Sequence, residues 1–353
     1  MKFSYAMLPD YPLQDSLDAI QLADELGYHA VYAADETWHK DMWLLFAAAA
    51  ARTRNIRFGP SLSPITLREP TLVAQATATL DELTGGRAEC VISSGNFGLL
   101  AQYGVDWATT RPLSRVREAH HVVRTFLDEG TITHRGEFFT YDGLFTFARP
   151  VQRHVPLMLG AMRGPRSFQV AGEIADGVHH ALSYTRRAHQ YAVDNVRIGA
   201  ERAGRDWRSL DLGAWTVFST GPDGRAAKNA ARAMVGLYAS SMSAEQLRRN
   251  DVDPDSLRDA VEAVGAGDLR RAYELTPPEI ADALSISGTP QECVDKIERE
   301  IEPTGMNHLI LAITDSELVK VFSGMELPGV LSVPEQLQLV HDEVMPAFAA
   351  TTG

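Results

Sequence analysis

Short apolar runs rich in Val, Ile and Tyr alternate along this chain with longer segments whose apolar residues recur every three to four positions. That alternation predicts buried strands, each followed by an amphipathic helix. Residues 2–8 read as a first strand, followed by a helix whose apolar stripe includes Leu17, Ile20, Ala23 and Leu26 and which stops at Gly27. A second strand at 28–34 leads to a helix over Met42–Ala51. A third strand, Ile56–Ser63, leads to a helix that Pro70 opens and Gly85-Gly86 ends. Residues 88–93 form the fourth strand, with a helix at 111–129 and an aromatic-rich stretch, Thr131–Pro150, that reads as a surface hairpin. Strand 155–159 with helix 165–173, and strand 177–182 with helix 185–203, continue the pattern. Strand 210–219 precedes a long, charged helical insertion at 226–284, and helix 290–302, strand Asn307–Ile313 and helix 334–349 close it. Eight strands alternating with helices predict an α/β fold of one domain, a (β/α)8 TIM barrel with insertions, in preference to an open doubly wound sheet.

Composition narrows the partners. The 353 residues are 45% hydrophobic, enough for a large core, and carry a formal net charge of −13 with no basic run or stripe, which argues against nucleic acid. Cys90 and Cys293 are the only cysteines and neither has metal-ligand spacing around it, so neither a disulfide framework nor a zinc site is expected. His120-His121 in a helix and His179-His180 in a strand each point apart, so no metal is expected there either. No apolar run reaches membrane-spanning length and the first residues lack a signal-peptide pattern, which predicts a cytoplasmic protein with no membrane partner. The Gly-x-Gly-x-x-Gly fingerprint, the Walker lysine loop and the Gly-x-Ser-x-Gly elbow are missing, which sets aside classical nucleotide-fold dehydrogenases, kinases and hydrolases.

In a barrel, chemistry gathers where strands end and loops begin. Four predicted strand ends are polar: Asp35-Glu36-Thr37-Trp38-His39, Ser61-Leu62-Ser63-Pro64, Ser93-Ser94-Gly95-Asn96 and Gly160-Ala161-Met162-Arg163-Gly164. The last is a turn from strand to helix with Pro165 at the first helical position. Its free amides and the positive end of the helix dipole suit a phosphate or carboxylate, and a Gly-rich loop of purely local purpose reads the same way. Arg163 either adds a charge-assisted bond to such an anion or pairs with a surface carboxylate. Glu36 is a candidate general acid or base if apolar neighbours such as Trp38 raise its pKa, His39 competes for that role, and both also read as solvated loop charge. Phe138, Phe139, Tyr141, Phe145 and Phe147 are expected to pack the excursion onto the barrel.

The order of certain segments resembles the bacterial-luciferase-like family of flavin and deazaflavin oxidoreductases. Those segments are Leu26-Gly27-Tyr28 leading to Asp35, Leu67-Arg68-Glu69-Pro70, Ala78-Thr79-Leu80-Asp81-Glu82-Leu83-Thr84-Gly85-Gly86-Arg87, Ala171-Gly172-Glu173-Ile174-Ala175-Asp176-Gly177 and Ser287-Gly288-Thr289-Pro290-Gln291-Glu292. The resemblance spans almost the whole chain and is greatest to the branch that uses coenzyme F420, of methylenetetrahydromethanopterin reductase type. It implies an F420-dependent oxidoreductase that transfers a hydride between the deazaflavin and a small organic substrate with a C=C or C=N bond. The alternatives are an FMN-dependent luciferase-like monooxygenase and a flavin-binding protein without turnover.

The resemblance also implies roles. A non-prolyl cis peptide falls near Ser61-Leu62, in a bulge backing the ring with Ser63 beside it, while Asp35 meets the pyrimidine side. Ser94, Gly95 and Asn96 match a cofactor-contacting loop, and Gly160, Ala161, Met162, Arg163 and Gly164 match the phosphate turn. The resemblance further suggests a homodimer through the second and third helices, while catalysis is assigned to Glu36 and His39 from their own chemistry. Two positions depart from the sugar-phosphate dehydrogenases of that branch: Glu36 stands where they have His, and Asn96 where they have an acid. Asn96 transfers no proton at neutral pH, which argues against sugar-phosphate oxidation.

Overall fold

The computed structural model describes residues 1–8 and 11–349. Its strands are β1 (Lys2–Met7), β2 (Ala30–Ala33), β3 (Arg57–Pro60), β4 (Ser63–Pro64), β5 (Cys90–Ser93), β6 (Thr131–Arg135), β7 (Thr140–Phe145), β8 (Leu157–Ala161), β9 (Gly177–Ala181), β10 (Asp211–Thr220), β11 (Ile286–Gly288) and β12 (His308–Ile313). The main sheet runs β3-β2-β1-β12-β10-β9-β8-β5-β4, its pairs all parallel. β3 and β4 are two halves of the predicted third strand, interrupted at Ser61-Leu62, and a bridge from Phe58 to Ala88 closes the circle. The result is the predicted eight-staved barrel, with β11 as an extra strand beside β10.

Outward-facing strand residues such as Val31, Phe58, Leu159 and Leu309 pack beneath the surrounding helices as the largest apolar cluster. Helix Pro70–Thr84 shows why the sequence stops where it does. Glu69 caps its start by accepting from the Thr71 and Leu72 amides, Pro70 gives up no needed N–H, and Gly85 ends it at φ +68°. Inside the barrel the lower levels are polar. Glu89 accepts from Arg57 Nε at 2.5 Å and from the Tyr32 hydroxyl, and His308 Nδ1 lies 2.8 Å from Asp211 Oδ1.

The insertion is helical as predicted, with helices Gly224–Ala239, Ala244–Arg249, Arg258–Gly265, Leu269–Leu275 and Pro278–Ala283. Val235, Met234 and Leu247 pack with Leu182, Tyr184 and Val217 of the barrel in one cluster. Several expectations need correction. Gly160 and Ala161 belong to β8, pairing with His179 and His180, so the turn is only Met162–Gly164. A short helix, Phe97–Gln102, and a helical turn, Trp107–Thr110, occupy what reads as loop. The predicted helix 334–349 is regular only over Val333–Leu339, then widens and tightens as Pro346, which has no amide to donate, approaches. In the hairpin β6–β7, Phe139 and Tyr141 pack onto the barrel, but Phe145 and Phe147 are exposed and meet each other edge-on. Among the described residues no helix is long and apolar enough to cross a membrane.

Candidate functional site

Side chains alternate along a strand, so residues two apart share a face. Tyr32, Val91, Met158 and Ile310 lie inside the barrel. Continuing by twos toward the carboxyl ends gives a top level of Ala34, Ser93, Gly160 and Ala312, with Ala6 from β1 and Ala181 from β9. All are small. At Gly160 a Cβ would stand 2.8 Å from Leu62 Cδ2 and 3.2 Å from Ser93 Cβ, so any larger residue would push Leu62 aside. Gly95, at φ +102°, is held the same way, since its Cβ would come 2.9 Å from Pro64. The small residues leave a shallow floor at the mouth, and the peptide Ser61–Leu62, which is cis, forms its edge.

The acidic loop is tied to that edge. The Asp35 amide donates to Leu62 O at 3.2 Å, and its carboxylate accepts from the Ser63 hydroxyl at 2.7 Å and from Arg68 Nη1 at 3.3 Å. Arg68 in turn lies over the Trp43 ring. Beside Asp35 opens a cavity of about 330 Å³ lined by Glu36, His39, Lys40, Met42, Pro64, Leu67, Arg68, Leu99 and Tyr103 among others. Burial pushes the Glu36 carboxyl above its ordinary range; the Asp35 charge adds to the rise and His39 opposes it. The apolar surroundings come from Met42, Pro64, Leu67 and Leu99 rather than from Trp38, which does not line the cavity. Trp38 is exposed, with its indole N–H donating to Gln102 at 2.8 Å, while the Tyr103 hydroxyl donates to Thr37 at 3.0 Å. Those two bonds latch the Glu36–His39 loop to helix Phe97–Gln102.

The loop after β5 is held locally. Ser94 Oγ accepts from the Trp107 indole at 3.3 Å, and Asn96 caps helix Phe97–Gln102 through Gly98 N at 2.8 Å. At the turn, helix Pro165–Ile174 begins at Gly164 with Pro165 in its first turn and no side-chain cap on its first amides. Among the described residues Arg163 pairs with no surface carboxylate. Its guanidinium donates to Ser241 O at 2.5 Å and lies 4.7 Å from the Phe97 ring, while Arg249 donates to Arg163 O through both terminal nitrogens, at 3.1 and 3.2 Å. The insertion therefore grips the turn from both sides.

Two further contacts at the mouth are partnerships that the sequence did not specify. His179 Nδ1 lies 3.1 Å from Ser61 Oγ, and burial pushes that imidazole down to about 3, so it is neutral. Tyr11 donates to Asp315 Oδ1 at 2.9 Å. Asp315 follows β12 and was visible as a further polar strand end; the His179 bond had no signal in sequence, because it depends on which strands oppose one another.

The chain and its fold have counterparts among known proteins. The profile of the family described as luciferase-like monooxygenase matches residues 1–308. The chain is 27% identical over 314 residues, 88% of its length and 92% of the relative's, to a 5,10-methylenetetrahydromethanopterin reductase of Archaeoglobus fulgidus. It is 26% identical over 327 residues, 88% of its length and 90% of the relative's, to an F420-dependent glucose-6-phosphate dehydrogenase of Nakamurella multipartita. Among solved structures, a coenzyme F420-dependent tetrahydromethanopterin reductase from Methanopyrus kandleri superimposes with a TM-score of 0.87 at 26% identity, covering 98% of this chain and 99% of that one.

Proposed function

The chain belongs to the luciferase-like monooxygenase family, and from that premise we propose that it is an F420-dependent oxidoreductase exchanging a hydride between the deazaflavin and a small organic substrate. The observation that carries this reading is the end-to-end likeness, in sequence and in fold, to F420-dependent reductases. The mouth fits such a group: a floor of small residues with no space above Gly160 for a Cβ, and an uncapped helix start at one side.

Leu62 and its neighbours Ser61 and Ser63 would back the ring, and Asp35, fixed by Ser63 and Arg68, keeps acceptor capacity for its polar edge. Ser94, Gly95 and Asn96, in the loop after β5, would contact the cofactor beside that floor, and the Met162–Gly164 turn with Gly160 and Ala161 behind it would receive the phosphate. When bound, reduced F420 supplies two electrons and one hydrogen as hydride to one atom of a C=C or C=N bond and is left oxidised. The protein supplies the accompanying proton to the other atom. Glu36, kept protonated to higher pH by its burial, is our first candidate donor and the adjoining His39 the second. We also propose a homodimer through helices Met42–Ala50 and Pro70–Thr84, where Leu44 and Leu72 are 74% and 52% exposed; sedimentation should return twice the chain mass.

Titration with F420 and with FMN, followed by fluorescence, tests the cofactor. Tight F420 binding with FMN at least about tenfold weaker is expected. The reverse order, with oxygen uptake on adding reduced FMN, would replace this reading with a flavin monooxygenase.

A further inference from the structure

The barrel's own symmetry singles out one residue at the mouth. Around the closed sheet, β10 lies four staves from the β3–β4 stave in either direction, so it stands diametrically opposite Leu62. Gly213 of β10 faces the interior, where a Cβ would meet Ile310 at 2.9 Å and His179 at 3.1 Å. Two residues on, Trp215 therefore occupies the top level. Every other member of that level away from the Ser61–Leu62 edge is Gly, Ala or Ser; Trp215 alone is large. Leu62 and Trp215, both half-buried, rest on the same interior cluster of Ala6, Tyr32, Val91, Met158, Ile310 and Ala312. Trp215 also packs into the insertion, meeting the Tyr238 ring edge-on at 5.2 Å, and Met162 and Met242, partly buried, pack against the same cluster.

Resting on the reading that Leu62 backs the ring cofactor, we infer that Trp215, with Tyr238, forms the wall facing the open side of that ring and selects a planar, conjugated acceptor that is uncharged at the end entering the mouth. A flat ring against Leu62 turns its other face toward β10, so the substrate lies between the cofactor and the Trp215 indole. Only a flat molecule fills a slot walled by two planes, and aromatic faces reward that fit beyond the area buried. Met162 and Met242 add adaptable apolar surface. A carboxylate laid against these ring faces would exchange hydration for apolar surface, which an uncharged conjugated group does not.

Saturation-transfer NMR on the F420-loaded protein, with trans-cinnamaldehyde and trans-cinnamate, which carries its charge at the acceptor end, as probes, tests the wall without turnover. Transfer to the cinnamaldehyde ring protons is expected, with the carboxylated probe bound at least about fivefold more weakly. Trp215→Leu, which keeps apolar bulk but removes the flat face, should weaken cinnamaldehyde about fivefold, Trp215→Phe should restore it to within about twofold, and Trp207→Ala, far from the mouth, should change nothing. F420 affinity of the Trp215 variants should stay within about threefold of wild type. Equal binding of the two probes, or Trp215→Leu binding cinnamaldehyde as wild type does, overturns the inference. If wild type takes up no F420, the cofactor reading fails instead, and the same probe comparison on the unloaded protein still decides whether Trp215 is a recognition wall. Should Trp215→Leu fail to fold, Tyr238→Leu carries the same expectation, an about twofold to fivefold loss for cinnamaldehyde.

Discussion

Gly160 illustrates how a single missing side chain shapes the mouth. With Leu62 and Ser93 as close as they are, Gly160→Ala forces one of them to move, and we expect a loss of about 1–3 kcal/mol in urea unfolding together with weaker cofactor binding. At Glu36 the sign of the pH effect follows from its environment. Burial raises its pKa, so as a proton donor it is competent below that raised value and lost above it; kcat/KM for hydride transfer to an acceptor should fall along an alkaline limb as Glu36 ionises. Glu36→Gln should lower kcat by roughly 10²–10⁴-fold and erase that limb, whereas the same result from His39→Asn with Glu36→Gln near wild type would move the role to His39. Residues of this kind were legible as polar strand ends. Their partners were not: Arg68 binding Asp35, or His179 beside Ser61, join positions 33 and 118 residues apart and depend on tertiary placement.

Elements were read from period and punctuation, and they succeeded where both were strong. Long amphipathic helices with Pro at the start and Gly at the end, such as Pro70–Thr84, came out within a residue or two. Helix Phe97–Gln102 was lost because six residues give less than two turns of period and Gly98 lowers helix propensity inside it. β11, three residues long, was too short to show alternation, and the break between β3 and β4 has no hydropathy signature at all. The short helix depends on its cap. Asn96→Ala should cost about 1 kcal/mol and loosen the latch that Gln102 and Tyr103 make to the Glu36–His39 loop, while Asn96→Asp should keep the cap; amide exchange at residues 97–102 distinguishes the two.

At the scale of the whole molecule, the barrel is stabilised from below by charge as well as by apolar packing. Burial alone would raise the Glu89 carboxyl, but His29, Arg57 and Tyr32 outweigh it and hold it at about 2. A carboxylate depressed on folding contributes stability that is complete above its unfolded value, about 4.3, and is lost as pH falls toward the folded one. Unfolding free energy should therefore decline between roughly pH 4.5 and pH 2, and Glu89→Ala, which strands Arg57 and His29, should cost about 3 kcal/mol and flatten that decline in urea titrations.

The grip on the turn has a consequence for how the molecule comes into being. Arg163 reaches Ser241, 78 residues later in the chain, and Arg249, 86 residues later, reaches back to Arg163. During synthesis β8 and its helix can assemble as soon as they emerge, but the loop between them has no clasp until the insertion follows. Contacts of such wide sequence separation form late, because the intervening chain must first be ordered. The anion-ready corner of the mouth thus acquires its final shape only once Arg249 has emerged, and a nascent chain cut short before Arg249 carries every residue of the turn without the grip that sets it.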